Sequence, residues 1–289
     1  MALNQAHGAT KAVTSAANPT VKLLAGLRSR KHREESGLFL AEGARTALEG
    51  LGGGAVPKIL AYSREAAPRD VKRLRDACLG AGGLCIEVTG KILGKIARKD
   101  NPQPVIAAYE RRVRPLGHLR PDDGGIFAAL DRVRDPGNLG TIIRTADAVG
   151  ARGLILVGDC CDPYATESVR AAMGSIFNVP IFACGEAEFI GLARRWPGTV
   201  AGAAASGVAH YRSVRYEGAV LAVLGAEQSG MSAAIAEACK LTVRIPIFGR
   251  SESLNLAVAC GILLYGIKEC QAERPSSEPA GNPGKDRQG

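Results

Sequence analysis

Two stretches, GLILV at Gly153–Val157 and AVLAVLG at Ala219–Gly225, are apolar along their whole length rather than at every second position. A strand with one wet face alternates, so unbroken runs belong to parallel strands covered on both faces. Helical patterns lie between such runs. Strand Ile126–Leu130 is followed by helix Leu139–Val149, strand Gly153–Val157, a helix near Ala165–Ala172, strand Phe177–Phe182 and helix Ala187–Arg195. Strands Thr199–Ala204 and Ala219–Gly225, helix Ala233–Ala238, strand Leu241–Pro246 and a final helix from about Ser253 complete the series. This part reads as α/β with a mostly parallel sheet.

The first part of the chain alternates as well. A basic helix Pro19–Arg33 leads to strand Leu38–Ala41, helix Gly43–Leu51, strand Pro57–Tyr62 and helix Arg69–Leu79. Strand Cys85–Thr89, helix Lys91–Arg98 and strand Pro104–Tyr109 follow, giving a small α/β sandwich. Ala107–Gly125 mixes charges, prolines and glycines without periodicity. The expected division is a first domain at 10–110, a linker at 111–123, a second domain at 124–272 and a disordered tail at 273–289 rich in Pro, Gly and Ser.

Charge separates the two parts. Met1–Asp123 carries 21 Lys+Arg against 12 Asp+Glu, whereas Gly124–Gly289 carries 16 of each, so the whole +9 excess lies before the second part. Such asymmetry points to a polyanion-binding module. Lys22, Arg28, Arg30, Lys31 and Arg33, on or just after one helix, are the candidate polyanion contacts. A hydrophobic content of 46% with 22% charged residues suits a globular protein. The N-terminus lacks a signal-peptide layout, and the longest apolar run, Leu254–Ile267, is too short to span a bilayer. Eight cysteines without a CxxC pair imply reduced thiols and a cytoplasmic protein, and four scattered histidines imply no metal.

Three stretches can carry chemistry. In DRVRDPGNLGTIIRTADAVGA, Asn138 is a good helix N-cap, and Arg144 and Asp147 are spaced for an i,i+3 surface pair. LGAEQSGMS puts Gly225–Gly230 at the carboxyl end of a strand, where open α/β sheets hold ligands, or is simply a loop with Glu227 exposed and Ser232 as a cap. IPIFGRSESLNLAVACGILLY sets a polar cluster before an apolar helix, with Ser251 or Ser253 suited to capping it. Neither GxGxxG after a strand nor GxxxxGK[ST] is present, which argues against an ordinary dinucleotide site and a P-loop.

Together these stretches resemble the SpoU (TrmH) family of RNA 2′-O-ribose methyltransferases, in the knotted SPOUT class. Asn138, Gly140, Ile142 and Arg144 match N-x-G-x-I-x-R, and Gly225, Glu227 and Gly230 match G-x-E-x-x-G. Ile245, Pro246, Gly249, Ser253, Leu254 and Asn255 match I-P-M-x-G-x-x-x-S-L-N, with Ile247 where methionine is usual. The stretch from Asn18 to Gly50 also resembles the substrate-binding domain that often precedes this catalytic domain.

The resemblance implies a trefoil knot, S-adenosylmethionine as cofactor, a homodimer packed on the final helix, and RNA as substrate, ribosomal more than transfer RNA. It implies catalytic roles for Arg144, Asn138, Glu227, Ser253 and Asn255. Leu224, Gly225, Gly230, Ile245, Ile247, Gly249, Leu254 and Asn255 would contact the cofactor, and Arg132 the RNA, which also becomes the polyanion for Lys22, Arg28, Arg30, Lys31 and Arg33. With no histidine placed as a base, Arg144 is needed either to take the hydroxyl proton or to stabilise the alkoxide. Two other readings stand beside this one: a non-catalytic RNA-binding protein that keeps the fold, and a small-molecule enzyme on a doubly wound sheet.

Overall fold

The computed structural model describes residues 9–122 and 124–272. The tail expected at 273–289 lies outside them. The N-terminal half runs β1 (Ala9–Val13), α1 (Pro19–Gly26), α2 (Arg30–Ser36), β2 (Leu38–Glu42), α3 (Ala44–Gly52) and β3 (Ile59–Tyr62). It continues through α4 (Pro68–Gly80), β4 (Leu84–Val88), α5 (Gly90–Ala97) and β5 (Val105–Glu110). Its sheet has the order β1-β4-β3-β5-β2, with β5 antiparallel to both neighbours. β1 was not expected; it is parallel to β4 at the sheet edge.

The basic helix expected at Pro19–Arg33 is two helices. Asn18 caps α1, its side chain accepting from Thr20 N at 2.9 Å, and Pro19 stands at the first helical position. The break at residues 27–29 is held by Arg33, whose Nη1 donates to the carbonyls of Leu27 and Arg28, both at 2.9 Å. The guanidinium satisfies carbonyls that a continuous helix would pair with its own next turn.

The C-terminal half contains β6 (Val113–Arg114), β7 (Ile126–Asp131), α6 (Pro136–Val149), β8 (Gly153–Val157), α7 (Thr166–Ala172) and β9 (Ile181–Cys184). Then come α8 (Glu186–Arg194), β10 (Thr199–Ala203), β11 (Ala209–His210), β12 (Val220–Gly225), α9 (Ala233–Ala238), β13 (Leu241–Arg244) and α10 (Leu256–Ala272). The order β11-β13-β10-β12-β7-β8-β9-β6 is parallel at every pairing. The unbroken apolar runs are the buried central strands: β7 and β8 are buried at every position and β12 at all but Gly225.

Two expectations change here. The segment 111–123 is not a free connection, because Val113–Arg114 extends the second sheet alongside β9 and Leu116 and Leu119 enter its core. The strand expected at Phe177–Phe182 starts only at Ile181, and Met173–Phe177 is a 3-10 turn. Phe177 is drawn instead into an aromatic cluster between the two halves. Its ring lies 4.7 Å from Tyr109 and 5.8 Å from Phe39, and Phe39 lies 4.5 Å from Tyr164.

Beside that cluster a buried ion pair joins the halves. Arg33 Nε donates to Asp162 Oδ2 at 2.8 Å, and both side chains are 4% exposed. Asp162 Oδ1 accepts from Tyr164 N at 2.9 Å and lies 3.6 Å from Arg111 Nη2. No helix among the described residues is long and apolar enough to cross a membrane.

Candidate active site

β10, β12 and β13 end side by side, and past their carboxyl ends lies a cavity of about 180 Å³. Its walls are Ala203–Ala205 after β10, Leu224–Glu227 and Gly230 after β12, Val243, Ile245 and Ile247 after β13, and Ser253, Leu254, Leu256 and Ala259 around the start of α10. This is the edge where parallel α/β sheets bind ligands. The lining is almost wholly apolar side chains, alanines and glycine backbone.

Gly225 is required by the turn that follows it. A Cβ there would come within 1.9 Å of Gly230 C and Met231 N, since residues 225–231 fold back through an Ala226–Gly230 bridge. Gly230 takes a positive φ of +65°, which glycine adopts without penalty.

Of the residues expected at the cofactor, Leu224, Gly225, Gly230, Ile245, Ile247 and Leu254 line this cavity. Gly249 does not; it sits exposed with nothing within 4 Å of where a Cβ would be. Ala203–Ala205 went unrecognised in the sequence, because small apolar residues at a strand end carry no chemical signal.

The caps differ from expectation and, in differing, build the site. Asp135, not Asn138, is the N-cap of α6: its Oδ1 accepts from Asn138 N at 2.6 Å, and Pro136 occupies the first helical position. That frees the Asn138 side chain. Likewise Asn255, not Ser251 or Ser253, opens α10. Its Oδ1 accepts from Ala257 N at 2.9 Å and Val258 N at 3.3 Å, while Ser251 Oγ donates to Ser253 O at 2.7 Å.

With Oδ1 held by the helix, Asn255 Nδ2 faces outward and donates to Asn138 Oδ1 at 2.9 Å. Asn138 Nδ2 in turn donates to Glu227 Oε1 at 3.1 Å. One helix cap therefore sets the orientation of both amides and delivers a donor to the carboxylate. This chain ties together all three motif stretches.

Arg144 stands outside it. The side chain is exposed on α6, six residues or about 9 Å of helix rise beyond Asn138. Among the described residues it forms no ion pair or hydrogen bond. The Arg144–Asp147 pair suggested by spacing does not form; Asp147 Oδ2 accepts from Asn178 Nδ2 at 3.0 Å.

The basic cluster divides. Lys22, Arg30 and Lys31 are exposed, the latter two near Glu34 and Glu35 one turn on. Arg33 is not an RNA contact, being buried against Asp162. Arg28 is largely committed too: its Nη1 donates to Ala97 O at 2.7 Å and lies 3.7 Å from Glu42. Arg132 is partly exposed and forked onto Asp131.

Burial, with Cys160, Asp135 and Glu227 adding to it, pushes the Cys161 thiol up to about 12. Among the described residues no three His, Cys, Asp or Glu side chains are grouped to hold a metal ion.

Comparison with known proteins identifies the family. Residues 125–265 match the SpoU rRNA Methylase family, and residues 18–107 match the MRM3-like substrate binding domain. The chain is 31% identical over 265 residues to the 23S rRNA (uridine(2479)-2′-O)-methyltransferase of Streptomyces viridochromogenes, covering 89% of this chain and 90% of that one. It is 29% identical to the Bacillus subtilis 23S rRNA (guanosine(2553)-2′-O)-methyltransferase RlmP, covering 89% of this chain and 99% of that one. Among solved structures, an AdoMet-bound rRNA methyltransferase from Sinorhizobium meliloti superposes with a TM-score of 0.84 at 42% identity, covering 90% of this chain and 98% of that chain. An α/β fold with a parallel sheet, the three loops converging on one cavity, and these matches together place the chain in the SpoU rRNA methylase family.

Proposed function

We propose that the protein transfers a methyl group from S-adenosylmethionine to a ribose 2′-hydroxyl of ribosomal RNA, acting in the cytoplasm. The observation that carries this reading is the Asn255–Asn138–Glu227 chain at the rim of a cavity that suits the cofactor. Ala203–Ala205 present only small side chains to the cavity, which favours a flat ring system there, and Leu224, Ile245, Ile247 and Leu254 supply apolar contact. The cofactor, when bound, supplies an electrophilic methyl on a sulfonium.

The 2′-oxygen forms the new C–O bond as the methyl–sulfur bond breaks and its electron pair returns to sulfur; the hydroxyl proton leaves. Glu227, oriented by Asn138, supplies a carboxylate acceptor for the hydroxyl, and Ser253 lines the same cavity. Arg144, exposed on α6 and without an ion-pair partner among the described residues, serves to stabilise the developing alkoxide with its guanidinium rather than to take the proton.

Residues 10–110 form the RNA-binding module and 124–272 the catalytic one, with Lys22, Arg30 and Lys31 as exposed phosphate contacts of the first. A homodimer is favoured by an apolar stripe on α10. Val258 and Tyr265 are 51% and 46% exposed, with Ile262 between them at helical spacing. Arg144 adjoins that stripe through Thr145, which faces Gly261 of α10. The knot is favoured by strand order: β13 enters between β10 and β11, which both precede it.

The test is ribose-methylation mapping of ribosomal and transfer RNA from cells with and without the gene, followed by transfer with purified protein. One ribosomal 2′-O-methyl group should vanish and be restored in vitro. Loss confined to a transfer RNA would move the substrate, and unchanged RNA would favour the non-catalytic binder.

A further inference from the structure

Ala226 and Glu227 form a wall with a cavity on each side. One is the cavity described above. The other is a groove of about 440 Å³ lined by Arg132, Arg134, Asp135, Gln228 and Ser229. Two guanidinium groups, an amide and a hydroxyl thus sit across a shared carboxylate from the cofactor cavity. Of these only Arg132 is expected at the RNA from the family resemblance, and the amide chain engages none of them.

Arg132, the residue after β7, is held in an unusual way. Its φ is +57°, a left-handed backbone that non-glycine residues rarely adopt, and no helix end there calls for it. Three contacts hold it. Its N–H donates to Val157 O at 3.0 Å, its guanidinium forks onto Asp131, Nε to Oδ1 at 2.8 Å and Nη2 to Oδ2 at 3.0 Å, and Nη2 also reaches Gly230 O at 3.5 Å. Asp131 is 1% exposed and also accepts from Ser232 N at 2.8 Å.

Such a fork leaves Nη1 unpaired among the described residues, on a side chain that borders the groove. Asp131 and Arg132 Nη2 brace residues 230–232 through Ser232 N and Gly230 O, and neither contact engages Nη1. Arg134 lies in the same groove with 63% of its side chain exposed, its Nη1 on Asp159 at 2.6 Å.

Resting on the methyl-transfer reading, we propose that this groove seats the acceptor nucleotide's phosphodiester, with Arg132 and Arg134 as its ligands and Asp131 positioning Arg132. The chemistry of the acceptor asks for it. A ribose 2′-hydroxyl adjoins the 3′-phosphodiester of the same sugar, so bringing that hydroxyl to Glu227 brings a phosphate to the wall beside it. Gln228 and Ser229 then face the base of a nucleotide drawn out of its stack.

The test uses the full chain with a ribosomal RNA fragment carrying the mapped site, binding being followed by anisotropy across a salt series. R132Q and R134Q should each raise KM for RNA roughly tenfold or more, as loss of a hydrogen bond to a charged group does. Each should also flatten the slope of log affinity on log salt by about 0.7–0.9, one phosphate's worth. Calorimetric affinity for S-adenosylmethionine should stay within about twofold, since neither side chain lines that cavity.

R132K should recover the slope but not the KM, because lysine keeps the charge and lacks the fork. D131N should raise KM with the slope unchanged. Cofactor affinity falling in R132Q while RNA KM holds would make Arg132 a brace and overturn the proposal. So would wild-type KM and slope in R134Q, an exposed position where folding is not at stake. An inactive wild-type protein would overturn the methyl-transfer reading as well; an active one with unchanged variants overturns this proposal alone.

Discussion

Arg33→Met removes a guanidinium from the junction between the two sheets and puts an unbranched apolar chain in its space. Three contacts are lost: the 2.8 Å pair with Asp162 and the two 2.9 Å bonds to the carbonyls of Leu27 and Arg28. Breaking one side of a buried pair costs about 3–5 kcal/mol, because the remaining charge is left without its partner. Arg111, 3.6 Å from Asp162, and Tyr164 N offset part of that, so the expected loss is about 3 kcal/mol. In a chain of this size that is a fall of roughly 5 °C in Tm. Urea unfolding of Arg33→Met, Asp162→Asn and the double variant measures it, with separate signals for the halves because a chain of two sheets need not unfold in one step. A coupling of about 1–3 kcal/mol is expected between the two positions. A loss in Arg33→Met below about 1 kcal/mol, or no coupling, would refute the junction. The same contacts weigh against removing everything before Gly124: that cut strips β6 from the second sheet and uncovers Tyr164 and Phe177, so the fragment should aggregate rather than stand alone.

Three further outcomes follow from the site. Leu254→Arg should abolish calorimetric binding of S-adenosylmethionine, and Gly225→Ala should do so with loss of stability, since its Cβ has no room beside Gly230; unchanged affinity in both would remove the cavity from consideration. Arg144→Ala should lose methyl transfer while keeping the wild-type fold and cofactor affinity, because the side chain is exposed and away from the lining; near wild-type single-turnover rates would sink its role. Burial pushes Cys184 and Cys260 up to about 12, so the folded state holds these protons more tightly than the unfolded one. Their stabilisation is present below the ordinary thiol range and is lost as pH rises through about 9 to 12, with the buried Cys260 contributing about 1.4 kcal/mol per pH unit there. A stability curve flat from pH 8 to 11, or rapid alkylation of Cys260 in the native protein at pH 8, would contradict that.

How much was legible depended on how local the cause was. Gly153–Val157 and Ala233–Ala238 were placed to the residue, because an unbroken apolar run and a Ser232 cap are complete signals in themselves. The motif residues were legible as a set through their family resemblance, but their hydrogen bonds were not. Whether Asn138 caps its helix or reaches Glu227 depends on Asp135 being the better-placed cap, and on Asn255 arriving from 117 residues away. Arg33 looked like one more surface charge because its partner is 129 residues distant. Phe177 had the composition of a strand and was taken by aromatic neighbours from the other half, a case of tertiary packing overriding local preference.

The amide chain also has a direction in time. Asn255 can orient Asn138, and Asn138 can orient Glu227, only once the first turn of α10 exists to hold Asn255 Oδ1. Ile245, Ile247, Ser253 and Leu254 reach the cavity from the same late segment. A chain growing from its N-terminus therefore carries the first sheet well before it carries the residues of the cavity. The cavity's walls are complete only when α10 docks on α6, so the site comes into being with completion of the fold.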